Sequence, residues 1–127
     1  MEARMVIDTW INAVRAGDID KVIGMYAEES VLLPTFSPHR IASRSDLHNY
    51  FAQLFSREEL KVELHEAALR ILPMGGTAYT VLGVYSFSFA VDDATLTFPS
   101  RFTFVIDTAK DAPILHHHSS QVPRTLS

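Results

Sequence analysis

Apolar positions recur at Ile7, Trp10, Ile11 and Val14, a spacing of i, i+3, i+4 and i+7. That spacing gathers them on one face of a helix. Gly17 is suited to end this helix, because glycine accepts the left-handed conformation of a C-cap. Asp18 then offers an N-cap to a second short helix holding Val22, Ile23 and Tyr26. The run Val31-Leu32-Leu33 stops at Pro34 and reads as a brief strand. Thr35 to Arg44, with one proline, two serines and basic residues, reads as a loop with a small strand near its end. Ser43 or Ser45 caps a third helix, and Ser43 with Asp46 resembles a capping box that uses Asp in place of Glu. Leu47, Tyr50, Phe51, Leu54 and Phe55 form its apolar stripe, and Arg57 to Glu59 end it.

Beyond this point the period becomes two. Leu60, Val62 and Leu64 alternate with Lys61, Glu63 and His65, as in a half-buried strand. The phase slips at Glu66 to Ala68 and resumes at Leu69 and Ile71, which a β-bulge would cause. Pro73-Met74-Gly75-Gly76 predicts a turn. A long strand follows from Ala78 to about Val91, a turn at Asp92-Asp93, and a strand from Thr95 to Ile106. A looser turn over Asp107 to Pro113 leads to a last strand from Ile114 to about Ser120. Three helices followed by four antiparallel strands predict an α+β domain, with the helices on one face of a bent meander and a cavity at its open end.

The length of 127 residues is that of one domain, 1–127, long enough to bury a core without staples. A hydrophobic content of 47% and a charged content of 20% fit a globular chain. The absence of cysteine removes disulfides, Cys-ligated zinc and thiol catalysis, and fits the reducing cytoplasm. A net charge of −4 argues against nucleic acid as a partner. The N-terminus has no uniform apolar run of the secretory kind. No stretch approaches the roughly 20 apolar residues that span a bilayer, so no membrane role is expected. Arg124 to Ser127 reads as a short polar tail.

Candidate chemistry concentrates in the last strands. Arg101, Thr103 and Val105 share one face of their strand, and Phe102 and Phe104 the other. In the last strand His116, His118 and Ser120 share a face, and Leu115, His117 and Ser119 the opposite one. Neighbouring strands align their faces, so an arginine and histidines meeting on the concave side would suit a small carboxylate. A paired structural or solvent-facing Arg101 fits the spacing equally well. The run His116-His117-His118 allows three readings. It is short for an affinity tag. A metal site would need His116, His118 and a third ligand. The third reading is polar residues lining a cavity or a subunit interface. Tyr79, Tyr85, Phe87 and Phe89 share one strand face, which either lines an apolar cavity or forms a subunit interface. Trp10 and Tyr26 are placed to close such a cavity from the helical side. There is no phosphate loop, nucleophile elbow or zinc motif, so no cofactor or metal is expected.

The stretches AVRAGDIDKVIGMYAEESVLLPT, RSDLHNYFAQLF, GVYSFSF, RFTFV and LHHHSSQVP together resemble the nuclear transport factor 2-like superfamily. This is the cone-shaped α+β fold shared with SnoaL-like cyclases and ketosteroid isomerases. Within it the chain is most similar to stand-alone relatives of the association (hub) domain of calcium/calmodulin-dependent protein kinase II. The resemblance covers nearly the whole chain. It implies a small-molecule-binding or assembly domain without kinase activity of its own. It also implies a homodimer formed through the sheet, with a larger ring as the kinase's own arrangement. It implies a deep pocket for small carboxylates at Arg101, His116 and His118, walled by Tyr26, with Trp10 and Tyr85 as further ligand-binding candidates. Ser119 stands where the hub carries a second pocket arginine. The alternative the superfamily implies is a SnoaL-like isomerase, cyclase or dehydratase, with His116 or His118 as general acid/base.

Overall fold

A computed structural model describes residues 2–123; the tail read at Arg124–Ser127 lies outside the described residues. Helix α1 spans Ala3–Ala16 and buries Val6, Ile7, Trp10, Ile11 and Val14. Gly17 ends it at φ 65°, the left-handed cap that its spacing predicts. Asp18 caps α2, Ile19–Gly24, by accepting a hydrogen bond from the Lys21 N–H at 3.1 Å. Helix α3 spans Arg44–Phe55 and is capped by Ser43, whose Oγ accepts from the Asp46 N–H at 3.2 Å. Ser43→Ala is expected to lower stability by about 1 kcal/mol, the usual worth of such a cap, as read by urea unfolding. No change in the unfolding midpoint would show that α3 is held by its packing alone.

The strands are β1 (Tyr26–Leu33), β2 (Lys61–Leu64), β3 (Arg70–Pro73), β4 (Ala78–Val91), β5 (Ala94–Asp107) and β6 (Ile114–Gln121). They form one sheet in the order β1-β6-β5-β4-β2, with β3 also paired to β4. The β4/β5 hairpin turns at Asp92, where φ is 53°. Each of its arms is 14 residues long, enough for the sheet to curl around the helices. The core is continuous from α1 through the buried residues of β4, β5 and β6.

Three features differ from the sequence-based expectation. Tyr26 opens β1 instead of lying on the second helix, which stops at Gly24. Strand β1 is held by parallel pairing to β6, a contact between distant segments that local patterning does not carry. The phase slip at Glu66–Ala68 is a 3-10 turn, not a bulge, and it divides β2 from β3. Both short strands pair with β4 on either side of Gly83. A Cβ at Gly83 would lie 3.2 Å from the Phe102 ring and 3.3 Å from Leu69 Cα, so the missing side chain lets the turn close over the sheet. Among the described residues, no helix is long and apolar enough to cross a membrane.

Candidate functional site

The helices cover one face of the sheet, and its buried residues set the phase. Tyr85, Phe87 and Phe89 on β4, and Ser100, Phe102 and Phe104 on β5, point toward the helices. On β6 the inward residues are Ile114, His117 and Ser119. The change of phase comes from Leu115. Ile106 pairs with Ile114 but Val105 pairs with His116, so Leu115 is an extra residue in β6.

Arg101 is therefore exposed on the outer face, paired across the strands with Ser120. His118 is also exposed and pairs with Thr103. This corrects the expectation that Arg101 turns toward the concave side: strand alternation gives that side to Phe102 and Phe104. His116 is half-buried, with Nδ1 2.8 Å from the Val31 carbonyl oxygen. Arg101 and His118 border a shallow outer hollow with Leu82 and Val84. Trp10, Tyr26 and Tyr85 do come together, in the core, around His117 and not around His116 or His118.

That centre is a hydrogen-bonded chain in an aromatic box. The Trp10 indole N–H donates to the Tyr26 hydroxyl at 3.1 Å. The Tyr26 hydroxyl lies 2.8 Å from His117 Nδ1, and the Tyr85 hydroxyl 3.0 Å from His117 Nε2. The His117 ring stacks on Phe104 at 3.8 Å between centroids, and Trp10 stacks on Tyr85 at 5.5 Å. Each element has a part in this placement. The apolar stripe of α1 delivers Trp10. Arg44, at the start of α3, donates to the Ile23 and Tyr26 carbonyls at 2.8 and 2.6 Å, fixing the backbone that carries Tyr26.

Burial holds His117 neutral, pushing its pKa well below the usual histidine value, and the neighbouring His116 and His118 push it the same way. Burial also raises the Tyr26 and Tyr85 phenols far above their usual range, so both keep their protons. Tyr50 is pushed up to about 12 by the same cause. With both ring nitrogens engaged, His117 is a neutral relay of hydrogen bonds and not a free base.

Beside the chain is a small cavity of about 10 Å³, lined by Tyr50, Leu54, Phe87, Tyr85, His117 and Ser119 among others. That is about the space one water needs. Among the described residues, none that lines it is Arg, Lys, Asp or Glu. Tyr50 and Leu54 also line a groove of about 530 Å³ between α3 and the 36–41 segment. The groove carries Arg40, Arg57 and Asp46, so charged side chains line the groove and not the small cavity. The 36–41 segment is pinned by Phe36, which packs edge-on against Phe87, Phe89 and Phe98. Among the described residues, no group of three His, Asp or Glu is placed to hold a metal ion.

The sequence alone assigned neither His117 nor the groove residues to the site, and it reached Ser119 only through the family resemblance. The buried polar pair His117 and Ser119 alternates in step with Phe102 and Phe104 of the neighbouring strand, which was the available signal.

Comparison with known proteins follows the same lines. The family described as calcium/calmodulin dependent protein kinase II association domain matches residues 1–123. A solved structure from Xanthomonas campestris, described as such an association domain, is 31% identical, with a TM-score of 0.83; the match covers 98% of this chain and 91% of that one. A ketosteroid isomerase-like protein from Erwinia carotovora atroseptica is 11% identical, with a TM-score of 0.74, covering 95% and 94% of the two chains. A nuclear transport factor 2-like protein of unknown function from Pseudomonas putida is 19% identical, with a TM-score of 0.78, covering 97% and 85%. The last two share the fold. No curated protein matches the chain.

Proposed function

The chain belongs to the calcium/calmodulin-dependent protein kinase II association-domain family, and from that premise we propose that it is a self-assembling domain that binds a small molecule in its cone. Membership implies self-association. The finer reading is a homodimer of single-domain subunits, working in the cytoplasm, with a larger ring as a further stage of assembly. The ligand's body occupies the groove between α3 and the 36–41 segment, and its head reaches Tyr85 past Tyr50. One observation carries this reading: a fully buried Trp10–Tyr26–His117–Tyr85 chain ends on a cavity. Apolar side chains fill a core without the desolvation that these polar groups entail.

Binding ranks above catalysis. The inner histidine is neutral with both nitrogens bonded, and the outer candidates His116 and His118 lie away from the cavity. Arg101 belongs to the outer face, where its role is toward a partner subunit.

Trp10 is the chain's single tryptophan and lines the cavity, so its emission reports on occupancy. A panel of small aromatic amides, ketones, phenols and acids is expected to include members that shift Trp10 emission saturably. Replacing Tyr50 by Ala widens the passage and is expected to speed the approach to saturation. A panel in which no member alters Trp10 emission would remove the binding role.

A further inference from the structure

The hydrogen-bond chain continues past Tyr85, and its direction is determined at both ends. At one end the Trp10 indole can only donate, so the Tyr26 oxygen accepts. If His117 Nδ1 carried the proton, Tyr26 would accept twice and its own O–H would be buried without an acceptor. Leaving that fully buried O–H without an acceptor would cost its full desolvation penalty. Tyr26 therefore donates to Nδ1, and Nε2–H donates to the Tyr85 oxygen. The Tyr85 O–H is left free of His117, and Tyr85 lines the cavity together with Ser119.

At the other end the Phe98 carbonyl can only accept. Ser100 Oγ donates to it at 3.4 Å, so Thr35 Oγ1 donates to Ser100 at 3.4 Å. Ser119 Oγ then donates to Thr35 at 2.7 Å. Its own oxygen is left to accept, and Ser119 lines the cavity. The two halves meet at the cavity as one donor, the Tyr85 O–H, beside one acceptor, the Ser119 oxygen.

We propose that this cavity takes a neutral head group with an adjacent acceptor and donor, a primary or secondary amide, and disfavours a carboxylate. The proposal rests on the binding role stated above. The amide carbonyl accepts from Tyr85 and its N–H donates to Ser119. A carboxylate has no proton for Ser119 and meets no cation, since among the described residues every one that lines the cavity is neutral. Taking an ion out of water without a partner is costly. Ser119 is thus a determinant of ligand class: where an arginine would select anions, a serine hydroxyl already committed to Thr35 selects a donor.

The test uses benzamide and benzoate, which have nearly the same shape, titrated against Trp10 emission at pH 7.5. Benzamide is expected to half-saturate at a concentration at least tenfold below benzoate. N,N-Dimethylbenzamide, which lacks the N–H, is expected to bind about fivefold or more weakly than benzamide, the worth of one net hydrogen bond. Tyr85→Phe is expected to weaken benzamide by about tenfold, with retained near-ultraviolet circular dichroism as the check on folding. Benzoate binding as tightly as benzamide would overturn the proposal and leave the binding role standing. So would a response to other members of the panel but not to benzamide, or equal affinity for the dimethyl compound. Silence from the whole panel would remove both.

Discussion

His117→Phe is expected to destabilise the fold by about 3 kcal/mol at pH 7.5. The phenyl ring keeps the shape and the stack on Phe104, so little packing is lost. The loss is polar. The Tyr26 O–H, fully buried, has no acceptor once Nδ1 is gone. An orphaned buried donor costs about 1–3 kcal/mol, and the second lost bond, to Tyr85, adds about 1 kcal/mol. The network predicts more than the magnitude. In a Tyr26→Phe background there is no hydroxyl to orphan, so the same replacement is expected to cost about half as much. Urea unfolding of the two single variants and the double variant gives the coupling directly. Additive effects within about 0.5 kcal/mol would mean that the two residues are not part of one chain.

The second large effect is on acid stability. Folding holds His117 neutral, with its pKa lowered by burial, while in the unfolded chain it titrates near the ordinary value of about 6.5. Below that pH the unfolded state binds a proton that the folded state refuses. Unfolding free energy therefore falls with pH from about 6.5 downward, by about 1.4 kcal/mol for each pH unit, until the depressed folded pKa is reached. Above about 6.5 the contribution is complete. Subtracting the His117→Phe curve from the wild-type curve isolates this residue from the other titrating groups. The gap between the curves is expected to be widest above pH 6.5 and to close as the solution is acidified. A gap that is flat from pH 7.5 to 5 would contradict a neutral buried His117.

The fold was legible in the sequence wherever one face of an element is buried and the other is wet. The α1 stripe, its glycine cap and the period-two arms of β4 and β5 all follow from that contrast. The fold class and family follow from the order of those elements and from the quoted stretches. Less was legible where a contact joins distant residues. Tyr26 sits beside a short helix in sequence, and only pairing with Ile114 makes it a strand residue.

The site was half legible for a more specific reason. Trp10, Tyr26 and Tyr85 could be read as cavity residues because each lies on an apolar face. The histidines could not be phased from their own strand, because polar residues occupy both of its faces. Ile114 is inward, and simple alternation from it puts His116 and His118 inward too. The extra residue Leu115 inverts the phase and brings His117 and Ser119 to the core instead. Arg101 followed the histidines in that reading, although its neighbours Phe102 and Phe104 already marked the inner side.

The outer placement of Arg101 and His118 gives the two sheet faces separate work. The inner face holds a neutral, donor-and-acceptor cavity. The outer face carries the cation, and it is the face that self-association through the sheet would cover. Native mass spectrometry of untagged, gently purified protein tests the central claim most directly, because it reads assembly and occupancy together. A homo-oligomer carrying a defined additional mass for each occupied subunit is the predicted result. A monomer with no added mass across the micromolar range would contradict it.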